Sequence, residues 1–229
     1  MRISSLAIIP DGNRRYGRKT GFSTQNAYLA GFEKAEEVIK WAGEAGIKSL
    51  TFWALSLENF SERSKPELSV LFTLMRKHCE KAFSSKTFDE EGVRVKFFGR
   101  LDLLPEDLVA LMRQVEEKTS NNSRVRLNVA IAYSGRDELL QAAKKLVELA
   151  KNNPSAEVGE KQFEQLLYLH EAPDLIIRTG NVQRLSGFLP WQAGYSELFF
   201  SPKLWPEFSR ADFKAALAFY ENAERRFGK

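Results

Sequence analysis

The chain has 229 residues, 43% of them hydrophobic and 12% aromatic, which is enough apolar material for one sizeable core and too much for a disordered or fibrous chain. Its 34 Lys and Arg against 30 Asp and Glu leave a net charge of +4, with both signs spread along the sequence, so nucleic acid is not the expected partner. A single cysteine, Cys79, excludes an internal disulfide, and with only His78 and His170 beside it there is no Cys/His set of the kind that holds zinc.

Short apolar runs alternate with longer segments of helical period, the pattern of an α/β domain with a mostly parallel central sheet of about six strands flanked by helices. Leu6–Ile9 is the first predicted strand and ends at Pro10-Asp11-Gly12-Asn13-Arg14-Arg15. A helix over about 24–44 follows, with Phe32, Ala35, Val38, Ile39 and Ala42 at helical spacing and Gly46 as its stop. Ser49–Leu55 is the second strand and ends at Ser56-Leu57-Glu58-Asn59-Phe60; the helix after it, over about 66–83, takes Pro66 as its first position. Val93–Phe98, the third strand, runs into Gly99-Arg100 and a helix over about 105–118 behind Pro105. Val125–Ala132 is the fourth, followed by Tyr133-Ser134-Gly135-Arg136 and a helix over about 136–151. Beyond the loop Lys151–Glu160 come a helix over about 160–169 and the fifth strand, Asp174–Ile177, which ends at Arg178-Thr179-Gly180. Glu197–Phe200 is a candidate sixth strand, and 211–226 the last helix. The opening residues are too short for a signal core, and no apolar run approaches the ~18 residues of a spanning helix. The expectation is one cytoplasmic domain over residues 1–229.

Open α/β sheets bind ligands at the carboxyl ends of their strands, and the polar oddities of this sequence collect there: Asp, Asn, Ser, Gly and Arg at the ends of all five strands. Each fragment alone reads as a turn or a surface residue. Together they suit a phosphate, since guanidinium forks and amides at helix starts both favour a dianion, and Arg15, Arg178 and Arg184 are the candidates. Asp11, on a tight turn, suits a hard cation such as Mg²⁺ shared with phosphate, and Glu197 offers a second carboxylate. The glycine-rich signatures of nucleotide sites are absent. What remains is a phosphate site beside abundant apolar residues, among them 17 Phe and the segment Leu68, Val70, Leu71, Leu74, which would suit a phosphorylated apolar substrate. His78 and Cys79 read as surface and packing residues on a helix. The basic run Arg14-Arg15 to Arg18-Lys19 reads as phosphate-side and solvent-facing, with a weak peripheral attraction to anionic lipid.

The segments Ala7-Ile8-Ile9-Pro10-Asp11-Gly12-Asn13-Arg14-Arg15-Tyr16, Ala54-Leu55-Ser56-Leu57-Glu58-Asn59-Phe60, Asn128 to Arg136, Asp174 to Gly180, Arg184 to Gln192, Tyr195 to Phe200 and Leu204-Trp205-Pro206 resemble, in order and spacing, the cis-prenyltransferase (undecaprenyl diphosphate synthase) family over nearly the whole chain. The resemblance implies a homodimeric, Mg²⁺-dependent α/β enzyme with an apolar tunnel, condensing an allylic prenyl diphosphate with isopentenyl diphosphate to make a new Z double bond. It implies Asp11 and Glu197 at the metal. Asn13 and Arg15 would bind and ionise the allylic diphosphate with the loop around Gly12, alongside Arg14, Tyr16 and Tyr28. Ser56, Asn59 and Phe60 would lie by the reacting carbons, and Arg178, Arg184 and Ser186 would bind isopentenyl diphosphate. Arg225–Gly228 would reach the neighbouring subunit's pocket.

Several positions depart from the family pattern. Ala27-Tyr28-Leu29-Ala30-Gly31 stands where Gly-His-x-Ala-Gly is usual, Thr24 stands for an arginine, Asn181-Val182-Gln183 for Gly-Glu-His, Tyr16 for Trp and Gly187 for Asn. Either Tyr28, Arg14 and Arg18 make up for the losses at the allylic diphosphate, or the chemistry is altered. Two other readings therefore stay open: an irregular or acceptor-switched prenyltransferase, and a non-catalytic subunit of a heteromeric synthase. Against the second, Asp11, Asn13, Arg178, Arg184 and Glu197 are all present.

Overall fold

The computed structural model describes residues 3–84, 86–153 and 158–223. In chain order their elements are β1 (Ser5–Ile9), α1 (Asn13–Thr20), α2 (Thr24–Ala45), β2 (Ser49–Ser56), α3 (Leu57–Glu62), α4 (Lys65–Ser84), α5 (Thr87–Glu90), β3 (Val93–Phe98), α6 (Glu106–Lys118), β4 (Val125–Tyr133), α7 (Gly135–Asn152), α8 (Glu160–Glu164), β5 (Leu175–Arg178), β6 (Glu197–Phe200) and α9 (Arg210–Asn222). The strands form one sheet in the order β3-β4-β2-β1-β5-β6, and every pairing is parallel. The expected α/β fold is thus present with a fully parallel sheet, and the candidate sixth strand lies at its edge. None of the helices among the described residues is long and apolar enough to cross a membrane.

Successive side chains of a strand point to opposite faces, so a parallel sheet covered on both sides needs two cores. Leu6, Ile8, Leu50, Phe52, Val93, Val95, Val125, Leu127, Leu175 and Ile177 pack on one face with residues of α2, α4, α6 and α9. The residues between them, Ala7, Ile9, Trp53, Phe98, Ala130 and Ile176, pack on the other with Tyr133, Phe188 and Leu189. There the Trp53 and Phe188 rings stack at 4.9 Å.

Where structure and sequence reading differ, backbone hydrogen bonding gives the reason. The helix expected over 160–169 stops at Glu164, because the N–H groups of Tyr168 and Leu169 donate instead to the Glu138 carboxylate, at 2.8 and 3.3 Å. Glu138 is fully buried and also accepts from the Tyr133 hydroxyl (2.6 Å) and Gln192 Nε2 (3.2 Å), so its charge is well satisfied. Two polar segments read as loops are short helices, α1 and α3; neither has an apolar stripe to announce it, and Ser56 caps α3 by accepting from Asn59 N–H at 3.0 Å. Pro66 is the second residue of α4 rather than the first, still within the turn whose N–H groups lack helical partners. The last helix ends at Asn222 among the described residues, and Arg225–Gly228 lies outside them.

The chain winds from β1 to β2 on one side, whereas β5 joins β1 on the other, so the carboxyl ends of β1 and β5 border the crevice where an open sheet binds its ligand. Glu197 is remote from that crevice. It opens β6 in register with Leu175 and hence with Leu6, while Asp11 follows the far end of β1. The strand rise alone separates the two levels by ~10 Å, so the expected Asp11–Glu197 metal pair does not form within one chain.

Gly12 sits at φ +125°, and a Cβ there would lie 2.9 Å from the Leu204 Cα. Gly43, in the last turn of α2, has open space around it. Gly12→Ala should therefore lower unfolding stability by roughly 1–3 kcal/mol and Gly43→Ala raise it by about 0.5–1 kcal/mol, as read by urea denaturation.

Candidate active site

The Asp11 turn is fixed by its own backbone. Its N–H donates to the Ile9 carbonyl (2.9 Å), and its carbonyl accepts from Trp205 N–H (3.0 Å) and the Thr179 hydroxyl (2.8 Å). The carboxylate is shared between two arginines: Oδ1 accepts from Arg15 Nη2 and Oδ2 from Arg178 Nη2, both at 3.0 Å. Arg15 Nη1 donates onward to the Gly180 carbonyl (2.6 Å). Arg178 Nη1 donates to the Ser186 hydroxyl (2.8 Å) and to the Arg184 carbonyl. Gly180 adopts φ +87°, and a Cβ there would come within 2.4 Å of Arg15 Nη2. One carboxylate thus orients two guanidinium forks beside each other and leaves a net positive charge. The Arg178 side chain is 8% exposed and its Nε is buried without a partner, so desolvation sharpens its attraction for an anion.

The first turn of α1 completes this rim. Tyr16 N–H bonds to the Gly12 carbonyl (2.8 Å), and the N–H groups of Asn13, Arg14 and Arg15 precede the first helical acceptor. Asn13 Nδ2 reaches the Pro10 carbonyl at 3.5 Å, while its Oδ1 is buried with no hydrogen-bond partner. Tyr28 points elsewhere: its hydroxyl donates to Glu67 on α4, and the Arg63 guanidinium lies over its ring at 5.4 Å. Burial, then the bond to Glu67, push the Tyr28 phenol above its ordinary value. Burial pulls Arg63 down, and its Nε is buried without a hydrogen bond, 3.4 Å from the Glu67 carboxylate.

This rim is one end of a cavity of about 1450 Å³. Of the residues singled out from sequence, Asp11, Gly12, Asn13, Arg14, Arg15, Tyr28, Ser56, Asn59, Arg178, Arg184 and Ser186 line it together. Tyr16 and Phe60 fall outside: Tyr16 packs edge-on to Phe22 (5.8 Å) and Phe60 against Phe72 (6.4 Å), each on the far side of a short helix the sequence did not reveal. Arg136, named in the polar end of the fourth strand, also lines the cavity, as does Arg63, which the sequence reading does not single out although it lies three residues beyond the polar end of the second strand. His78 and Cys79, read as surface and packing residues, line the cavity too, and burial raises the Cys79 thiol to about 12. The cavity walls beyond the rim are apolar, with Leu71 and Met75 on α4 facing Val95, Leu127 and Ile131 of the sheet.

No group of three His, Cys, Asp or Glu gathers as a metal site among the described residues. A cation at the rim would have Asp11 as its one protein carboxylate, a donor set that fits Mg²⁺, which keeps several waters and is commonly shared with substrate phosphates. Both Asp11 oxygens are engaged by arginines, so such a cation would arrive with an anion able to take over one guanidinium.

Residues 9–228 match the family described as putative undecaprenyl diphosphate synthase. A tritrans,polycis-undecaprenyl-diphosphate synthase (geranylgeranyl-diphosphate specific) of Thermoplasma acidophilum is 42% identical over 100% of this chain and 90% of its own length. An isoprenyl transferase of Aquifex pyrophilus is 41% identical over 98% of this chain and 95% of its own. Among solved structures, lavandulyl diphosphate synthase from Lavandula x intermedia, in complex with dimethylallyl diphosphate, superposes with a TM-score of 0.93 at 32% identity, covering 100% of this chain and 99% of that one. A probable undecaprenyl diphosphate synthase from Campylobacter jejuni gives 0.83, also at 32%, covering both chains fully.

If the paired guanidiniums hold a diphosphate, inorganic pyrophosphate at 100 times its Kd should stabilise the native protein by about 2.7 kcal/mol, visible as a raised Tm. Arg178→Met should lose most of that shift and, by leaving Asp11 and Ser186 short of a donor, lower basal stability by about 1–3 kcal/mol. A pyrophosphate shift of wild-type size in this variant would place the anion elsewhere.

Proposed function

The chain belongs to the undecaprenyl diphosphate synthase family of prenyltransferases, and on that premise we propose that it condenses isopentenyl diphosphate with an allylic prenyl diphosphate to form a new Z double bond. The observation that carries this reading is the Asp11 carboxylate held between Arg15 and Arg178 at one end of a large apolar cavity. Arg15, the loop at Gly12 and the first amides of α1 bind the allylic diphosphate, with Arg14 beside them. Arg178, Arg184 and Ser186 bind the isopentenyl diphosphate. Breaking the allylic C–O bond puts growing negative charge on the departing diphosphate, where preorganised cations and amides stabilise it most. The allylic cation left behind is attacked by the isopentenyl double bond, and loss of a proton gives the product. Ser56 and Asn59, linked through the α3 cap, border the reacting carbons, and Asn13 Nδ2, whose one bond to the Pro10 carbonyl is long (3.5 Å), has an N–H left to donate to a diphosphate oxygen. The apolar walls keep water from the cation. Mg²⁺, held by Asp11 together with substrate phosphate, would neutralise part of the leaving group's charge.

Tyr28 is spent on Glu67 and Arg63, which supports Arg14, Arg15 and Arg63, rather than Tyr28, as donors at the allylic side. The same departure, with the likeness to lavandulyl diphosphate synthase, favours irregular coupling of two allylic units as the second reading. We also propose a homodimer: β6 is an edge strand, and Phe219 of α9, packed on its Phe199, is 42% exposed. Sedimentation of the purified chain tests this.

Incubation with labelled isopentenyl diphosphate and, separately, dimethylallyl, geranyl, farnesyl and geranylgeranyl diphosphates should give Z-prenyl products joined head to tail. Label-free products from an allylic diphosphate alone would move the assignment to irregular coupling. Asp11→Ala should keep the fold and lose roughly 10²-fold or more in kcat, a barrier increase of a few kcal/mol, at any Mg²⁺ concentration. Arg184→Lys should raise the KM for isopentenyl diphosphate more than that for the allylic partner, because a point ammonium cannot reproduce a bidentate phosphate contact.

A further inference from the structure

Arg184 and Ser186 stand on a turn whose backbone is strained. Ser186, Gly187 and Leu189 adopt φ of +53°, +84° and +49°, so two residues of the turn carry a side chain in the left-handed region. Such a conformation persists only where its surroundings over-determine it. On the cavity side, Arg178 Nη1 bonds to the Arg184 carbonyl and, at 2.8 Å, to the Ser186 hydroxyl.

The other anchors of the turn lie away from the cavity and converge on Glu138. Phe188 is fully buried, stacked on Trp53 at 4.9 Å and edge-on to Tyr133 at 6.0 Å. The Tyr133 hydroxyl donates to Glu138 Oε2 (2.6 Å), and the Tyr133 carbonyl accepts from Trp53 Nε1 (3.2 Å), so both rings around Phe188 are held through one residue. Beyond the turn, Ala193 N–H bonds to the Leu189 carbonyl (2.8 Å), and Gln192 Nε2 donates to Glu138 Oε1 (3.2 Å) and to the Leu169 carbonyl (2.7 Å). Glu138 belongs to the first turn of α7, and the opening residue of that helix reaches the turn directly: Gly135 N–H donates to the Gly187 carbonyl (3.1 Å), with Pro190 packed where a Cβ would stand. Glu138 is 1% exposed, and neither it nor Tyr133 nor Gln192 lines the cavity. A carboxylate at that depth is tolerated because four donors satisfy it, and two of the four fix the residues on either side of the strained turn.

We infer that Glu138 is a positioning residue for isopentenyl diphosphate: by holding Tyr133 and Gln192 it keeps residues 185–189 in their strained form and so presents the Ser186 hydroxyl and the Arg184 side chain to the substrate. The inference rests on the prenyl-transfer reading above. Arg178 needs no such support, because β5 and the Asp11 carboxylate place it. The allylic side is likewise independent of the turn, since Arg15 is held by Asp11 and the Gly180 carbonyl, and the Asp11 turn by Thr179 and Trp205. When the anchor is lost, the turn relaxes toward ordinary φ values. Isopentenyl diphosphate then loses two of its three protein ligands, while the allylic diphosphate keeps its own.

Direct titration, which needs no turnover, tests this with isopentenyl diphosphate and geranyl diphosphate as separate probes. Gln192→Leu, which cuts the tie between Glu138 and the segment after the turn, should weaken isopentenyl diphosphate at least 10-fold and geranyl diphosphate less than 2-fold. Glu138→Leu should show the same split, whereas Glu138→Gln, which keeps an acceptor oxygen, should stay within about 3-fold of wild type for both probes. If Glu138→Leu does not fold, Gln192→Leu decides. A second readout separates positioning from general loosening of the core: in a cycle of Gln192→Leu with Ser186→Ala, the two losses for isopentenyl diphosphate should not add, because the first already removes what the second deletes. Equal weakening of both probes, or fully additive losses, overturns the positioning role. A wild-type protein that binds both probes but joins isopentenyl diphosphate to no allylic primer refutes the prenyl-transfer reading instead, and the comparison of the two probes still reports on Glu138.

Discussion

The pairing of β1 with β5 is the constraint on which the site depends. It sets Ile9 opposite Arg178, so the residue two beyond the first strand and the last residue of the fifth meet although 167 positions separate them in sequence. The Asp11–Arg178 ion pair, the Arg15 link to the Gly180 carbonyl and the Thr179 bond to the Asp11 carbonyl all follow from that register. The segment after β6 then closes the arrangement from outside, with Trp205 N–H on the Asp11 carbonyl and the Trp205 indole on the Gly31 carbonyl at 2.8 Å. Trp205 thereby ties the Asp11 turn to α2.

The two sheet faces divide the labour. On one, Trp53, Tyr133, Phe188 and the satisfied Glu138 carboxylate make a closely packed, polar-pinned layer that keeps the strands level. On the other, α2, α4 and α6 stand off far enough to leave the cavity, and their inward stripes together with Val95, Leu127 and Ile131 make its wall. A wall of this composition offers an apolar chain burial but no hydrogen bonds, so it grips by area and leaves orientation to the charges at the rim.

Tyr28, Glu67 and Arg63 form one connected group at the edge of the cavity. A phenol cannot carry positive charge, and this one gives its single proton to Glu67, which also lies 3.4 Å from Arg63 Nε. Arg63 is held between that carboxylate and the Tyr28 ring, at the edge of the cavity and with donors to spare.

The sequence alone determined the elements and most of the rim, because both rest on local chemistry: period-2 and period-3.6 apolar spacing mark strands and helices, and strand-end turns keep their Asp, Gly, Asn and Arg whatever the packing. The polar helices α1 and α3 escaped it since they carry no apolar stripe, and the false extension of α8 arose because only the folded chain brings Glu138 to the N–H groups of Tyr168 and Leu169. Tertiary structure alone decided that Glu197 stands at the opposite end of the sheet from Asp11, that Tyr16 and Phe60 turn away from the cavity, and that His78 and Cys79 turn into it. Those are matters of register and helix facing, set by contacts between residues far apart in the chain, for which composition and spacing carry no signal.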